Sequence, residues 1–233
     1  MIRILFIVPY PQLEKTVKYV IGHHPDRDRL QVDIKVLSVE DTPDFAIDQY
    51  DVIIARGYMA EQTSAQYPSL PTIHLSISGF DIIKAMAECC RTWHPRKVAI
   101  LGFDQQIYDV KDICHLFDTD VEVFAPAPHK ELGKTLETAL AHGCDALIGG
   151  YSANILAGQY HMASTVVQTG RDTVLQTLNE AIHTVDQIRQ ERVVSQMHRT
   201  IIHSSKDGIL YVDAGGTIRV CNQAAGKMAW NAV

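Results

Sequence analysis

Asp51-Val52-Ile53-Ile54-Ala55-Arg56-Gly57 is a run of four apolar residues, three of them β-branched, closed by a cation and a glycine. An apolar run without polar alternation suits a strand buried on both faces, as in a parallel sheet. Similar runs occur at Arg3–Val8, Val32–Leu37, Thr72–Ile77, Lys97–Leu101, Asp120–Phe124, Ala146–Ile148 and Ser164–Val167. Amphipathic segments separate them at Leu13–Gly22, Asp81–Thr92, Ile107–Phe117, His129–His142 and Ser152–Tyr160. The alternation predicts an α/β fold, with parallel sheets flanked by helices. One wide sheet is possible, but the order of runs divides evenly near Gly79, so two lobes with a cleft between them are expected. All strand C-terminal ends would then surround one ligand site.

Beyond Arg171 the pattern changes to one long helix, Asp172 to about His203. Val174, Leu178, Ala181, Val185 and Ile188 recur at spacings of four and three, a core-facing or coiled-coil stripe. The phase then slips to Val193, Val194, Met197 and Ile201. The first half is expected to pack on the first lobe and the second half to act as a connector that can pair two copies. The expected division is 1–78 plus 171–195, 79–170, and 196–233.

The chain has 233 residues, a formal net charge of −6 and five cysteines. The charge argues against nucleic-acid binding through this segment, because no basic patch is visible. No apolar run approaches the ~20 residues that cross a bilayer, so a cytoplasmic protein without membrane contact is expected. Cys89, Cys90, Cys114, Cys144 and Cys221 lack C-x-x-C spacing and are read as reduced and mostly buried.

Functional side chains are expected where strands end. Arg56 and Gly57 follow the third run, and Ser76, Ser78, Gly79 and Phe80 follow the fourth. Gly102 and Phe103 follow the fifth, and Gly149, Gly150 and Tyr151 follow the seventh. Arg56 offers a fixed cation suited to a carboxylate or phosphate. Ser78-Gly79 opens a helix whose free amides suit an anion. Each feature alone has an ordinary structural role, since glycines make turns and serines cap helices. Their placement together at four strand ends is what suggests a site. Tyr10 and Pro9 are candidates for the same cleft by position.

Four motifs in order, Asp51 to Gly57, Ser76-Ile-Ser78-Gly79-Phe80-Asp81, Val98-Ala-Ile-Leu-Gly102-Phe103 and Asp145-Ala-Leu-Ile-Gly149-Gly150, resemble the N-terminal sensor domain of propionate-catabolism activators. The resemblance covers roughly residues 1 to 195. It implies two Rossmann-like lobes, a small-metabolite site between them, and control of a downstream ATPase in a sigma-54-dependent regulator. It also implies a long helix that returns to the first lobe. Tyr58-Met59 after Arg56-Gly57, and Tyr151-Ser152 after Gly149-Gly150, depart from the family pattern where ligand identity is set. The family's type ligand, 2-methylcitrate, is therefore not carried over; another small acid or a neutral ligand remains open. Gly208 to Val212, the turn Asp213-Ala-Gly-Gly216, Thr217 to Cys221 and Asn222-Gln-Ala-Ala225 look like the opening of a PAS domain. A fragment this short is expected to lack its own core, its tail disordered or packed against a neighbour.

Other chemistries fit less well. Gly133-Lys134-Thr135 ends like a P-loop, but Pro128 stands where its first glycine belongs. Asp51 and Asp145 begin their strands, opposite to a phosphoacceptor aspartate. His23-His24 with Asp26 read as solvated loop residues rather than a metal site. Cys89, Cys90 and Cys144 lie away from the strand ends that a two-cysteine racemase needs. The expected function is a non-catalytic sensor of a small anionic effector, with no cofactor, working through downstream PAS and ATPase domains of the same polypeptide. The alternatives are an isomerase-like enzyme on a small acid and a ligand-free dimerisation module.

Overall fold

The computed structural model describes residues 1–38, 41, 44–101, 116–124 and 131–230. Gly102, Phe103 and most of the helix expected at Ile107–Phe117 lie outside the described residues. The chain divides into two compact units, Met1–Ile182 and His183–Val233.

In the first unit, two four-stranded parallel sheets have the same order. The first runs β2 (Leu30–Val36), β1 (Ile2–Val8), β3 (Val52–Ala55), β4 (Thr72–His74). The second runs β6 (Asp120–Phe124), β5 (Lys97–Leu101), β7 (Ala146–Gly149), β8 (Ala163–Val166). The central strands β1, β3, β5 and β7 are the most continuously apolar and the most buried, while the edge strands β2 and β6 carry exposed positions. This follows from helices covering both faces of a parallel sheet.

Among the described residues before Arg171, the helices of this unit are α1 (Pro11–His23), α2 (Tyr58–Gln66), α3 (Gly79–Trp93), α4 (Leu132–Ala141) and α5 (Tyr151–Gln159). Val98 and Ile100 face Ile82 and Met86 of α3; Ala99 and Leu101, on the opposite face, meet Leu136 of α4 and Ala153 and Ala157 of α5. The period of two along β5 puts one residue set on each side. In the first sheet, Leu5, Ile7 and Ile53 pack with Met59 and Ala60 of α2. Helix α2 has no counterpart among the expected helices. Its sequence is weakly amphipathic, but parallel β3 and β4 need a crossover between them.

Asp51 and Asp145 play matching parts in the two sheets. Asp51 Oδ2 accepts from the Arg3 amide at 2.8 Å, and the Asp145 carboxylate accepts from the Arg96 and Lys97 amides at 3.0 and 3.1 Å. Each aspartate anchors the start of the neighbouring central strand.

The long helix α6 spans Arg171–Ser204. Val174, Leu178 and Ala181 are fully buried, as their spacing predicts. His24 is 4 % exposed, a correction to its reading as a solvated loop residue. Its Nδ1 accepts from the Asp26 amide at 3.1 Å, so Nε2 carries the proton and donates to Asn179 Oδ1 of α6 at 3.0 Å. Arg171 lies 3.8 Å over the Tyr19 ring of α1. The early turns of α6 are thereby fastened to α1.

In the second unit, β9 (Leu210–Val212) and β10 (Ile218–Cys221) form an antiparallel hairpin followed by α7 (Gln223–Trp230). Asp213 accepts from the Gly215 and Thr217 amides and pairs with Arg219 at 2.6 Å, which fixes the turn. Asn222, 1 % exposed, makes four hydrogen bonds: its Oδ1 accepts from the Ile209 and Ala225 amides and its Nδ2 donates to the Ile202 and Asp207 carbonyls. One amide side chain therefore holds helix, hairpin and α7 together, so the segment has regular structure where a disordered tail was one expectation. Leu210, Tyr211, Val212, Ile218 and Met228 remain exposed.

Candidate functional site

The C-terminal ends of the two sheets meet at two crossovers. The first, Leu75 to Ser78, leads from β4 into α3; the second, Val167 to Gly170, leads from β8 into α6. Thr72–Ile77 was expected as one strand, but the strand stops at His74, releasing these residues for the crossover.

Asp81 pins the crossovers together. It is 1 % exposed, and its carboxylate accepts from the Ser78 amide (3.1 Å), the Gly170 amide (2.9 Å) and the Thr173 hydroxyl (2.9 Å). Ser78 Oγ in turn accepts from the Asp81 amide at 3.2 Å, completing a capping box. A β-carbon at Gly170 would stand 2.8 Å from Asp81 Oδ1, so only glycine permits this approach. The anion cradle expected at Ser78-Gly79 already holds the chain's own carboxylate.

Arg56 leaves the end of β3 and reaches the second crossover. Nη1 donates to Thr169 Oγ1 at 2.9 Å and to the Tyr10 hydroxyl at 3.4 Å; Nη2 donates to the Val167 carbonyl at 3.2 Å. The Thr169 amide also donates to the Tyr10 hydroxyl, at 3.3 Å. Burial pushes the Arg56 pKa down, while Tyr10 and the Asp81 carboxylate act in the opposite sense. Across the same seam the Tyr10 and Tyr151 rings stand 5.8 Å apart.

Gly57, the N-cap of α2, has φ +52 and ψ −131, and no side chain caps that helix. Gly150 is the N-cap of α5, also without a side-chain cap, and a β-carbon there would meet nothing within 4 Å. The α5 start thus presents unmasked backbone donors beside Tyr151. Gly149 has a packing role, since a β-carbon would press to 3.0 Å from Ala153 Cβ. Ser76 and Phe80 are exposed on the first crossover and the first turn of α3, with Lys84 Nζ 4.4 Å over the Phe80 ring. No hydrogen bond among the described residues links either to Arg56.

The structure therefore gathers Arg56, Tyr10 and Tyr151 at one seam. Thr169 and the Asp81 clasp are additions that residue type alone did not single out. Ser-x-x-Asp at Ser78–Asp81 was the available signal for the cap. Burial raises the Cys89 thiol to about 11 and pushes Cys144 up as well, the opposite of an activated nucleophile. Among the described residues no group of three or more His, Cys, Asp or Glu is placed to hold a metal, and no helix is long and apolar enough to cross a membrane.

A family model described as propionate catabolism activator matches residues 26–191. The chain is similar to an NtrC family transcriptional regulator from Clostridium acetobutylicum, with a TM-score of 0.68 and 16% identity over 79% of this chain and 97% of that one. At that identity the likeness concerns the fold, and it agrees with the two-lobe α/β architecture. It also resembles, with a TM-score of 0.43 each, a LacI family regulator from Mycobacterium smegmatis (9% identity, 78% and 90% covered) and the transcription regulator CcpA of Lactococcus lactis (12%, 80% and 92%). No curated protein matches the sequence significantly.

Proposed function

Since the chain belongs to the propionate catabolism activator family, whose model spans 26–191 of its 233 residues, we propose that this regulatory sensor domain binds a small anionic effector between its two lobes. The observation that carries the reading is the Arg56 guanidinium, which leaves one sheet and bonds the crossover emerging from the other. An effector bound at this cation contacts both lobes, and it shifts their arrangement only if it binds the two arrangements with different affinity. Tyr10, Gly150 and Tyr151 complete the proposed site. The domain is not an enzyme. It acts on sigma-54-dependent transcription by biasing α6, which runs on to a PAS domain opened by β9, β10 and α7 and then to an ATPase domain. The exposed Val193, Met197 and Ile201 on α6 support pairing of two copies through this helix.

The test is a thermal-shift screen against mono-, di- and tricarboxylates, acyl phosphates and neutral metabolites, with calorimetry on each hit. Saturable stabilisation by one anionic class is expected, with binding lost in Arg56→Ala. Because Arg56 also makes three hydrogen bonds within the protein, that variant should melt lower even without ligand. The absence of any shift would favour the interaction-module reading.

A further inference from the structure

The second unit differs in charge from the rest of the chain. Residues 183–233 carry six Lys or Arg against four Asp or Glu, whereas the whole chain carries 21 against 27. The basic groups of this unit gather at one place. A groove of about 440 Å³ lies between the last turns of α6 and β10. His198, Arg199 and His203 line it from the helix and Arg219 from the strand, with the half-buried Ile202 and Val220 between them. No aspartate or glutamate is among the described residues that line it.

Local structure fixes these positions. His198 and Ile202, and likewise Arg199 and His203, are four residues apart, so each pair shares a side of α6. Asn222 Nδ2 donates to the Ile202 carbonyl at 3.0 Å, which holds the end of β10 against the helix. Pairing in the hairpin shifts register between Ile218 and Val220. Arg219 is therefore the extra residue of a β-bulge, a device that re-aims a side chain. Its Nε donates to Asp213 Oδ2 at 2.6 Å, which fixes the guanidinium. Neither Nη of Arg219 has a hydrogen-bond partner among the described residues, and the side chains of His198, Arg199 and His203 make no hydrogen bond or ion pair there. Four basic side chains thus line one groove with Asp213 as their single paired counter-ion.

An anion entering this groove gains charged N–H donors from two walls. A phosphate monoester carries a charge near −2 at neutral pH and three acceptor oxygens, whereas a carboxylate carries one charge and two oxygens. The groove has the size of a small-molecule site, and the net charge of −6 on the whole chain repels an extended polyanion. We propose that the second unit holds a site for a small phosphate monoester, with the phosphate between Arg199 and Arg219 and the organic part against Ile202 and Val220. This site is separate from the interlobe seam and does not depend on it.

Calorimetry on the whole chain with phenyl phosphate, inorganic phosphate and phenylacetate, at about pH 7.5 where the monoester is largely a dianion, is the test. Phenyl phosphate should bind saturably. Phenylacetate should bind at least about tenfold more weakly, and inorganic phosphate more weakly too, because it leaves Ile202 and Val220 uncovered. Arg199→Gln removes an exposed side chain without a partner, so it should keep the parent melting temperature and weaken phenyl phosphate at least about tenfold. Amide chemical shifts should move on titration at 198–203 and 219–221 and stay fixed at 150–154 and 167–170, which separates this groove from the interlobe seam. The proposal is overturned if phenyl phosphate fails to saturate below about 10 mM, binds Arg199→Gln as tightly as the parent chain, or shifts only the seam. Phenylacetate matching phenyl phosphate, or inorganic phosphate surpassing it, overturns the monoester assignment.

Discussion

Asp81 shows how one side chain can serve two crossovers. Its carboxylate is buried and accepts from Ser78, Gly170 and Thr173; truncation would leave those donors without their acceptor. Losing hydrogen bonds to a buried charged group has a large effect compared with a surface substitution. Asp81→Ala should destabilise the chain by about 2–4 kcal/mol in urea unfolding. Asp81→Asn should cost about half as much, because its carbonyl can still accept from Gly170 while its amide nitrogen cannot accept from Thr173. A loss below about 0.5 kcal/mol for Asp81→Ala, the range of ordinary surface changes, would remove Asp81 from the role of clasp. Arg56 was legible as a cation at a strand end. Its partner Thr169 was not, because the contact joins positions 113 residues apart in sequence and nothing local marks it.

At the scale of elements, α2 is the instructive case. It begins at Gly57, whose φ of +52 and ψ of −131 lie in a region that L side chains enter only with strain. Gly57→Ala should therefore destabilise the chain by about 1–3 kcal/mol, measured by urea unfolding, although its β-carbon would meet no atom within 4 Å. A neutral outcome would mean that the turn relaxes without affecting the packing of Met59 and Ala60. The helix escaped notice in the sequence because its buried residues, Met59, Ala60 and Thr63, include only one large apolar side chain. The strands were legible because a parallel sheet demands uninterrupted apolar runs at its centre. Their ends are less legible: apolar Leu75 and Ile77 continue the pattern of β4 beyond its last paired residue, His74, although only the Leu75 amide still reaches β3, donating to the Ala55 carbonyl at 2.7 Å. The stripe on α6 was legible in its first half, where burial enforces the 3.6-residue period.

For the two-lobe unit as a whole, the matching sheet orders and the matching anchors Asp51 and Asp145 make each lobe a self-consistent α/β layer. Among the described residues, the lobes are joined at the crossovers, at the Arg56 fork and at the Tyr10–Tyr151 pair. A ligand that binds at this seam must reduce backbone opening on both sides at once. A ligand held inside one lobe would protect that lobe alone. Hydrogen exchange with a saturating effector should therefore slow amides at 56–60 at the end of β3, at 150–154 at the start of α5, and at 167–170 in the second crossover. The slowing should scale with occupancy, approaching a factor of 1 + [L]/Kd for openings that release the ligand. Protection confined to 56–60 or to 150–154 would place the effector within a single lobe and leave Arg56 as a structural clasp, whereas joint protection would tie the cation at the end of β3 to the signal that reaches α6.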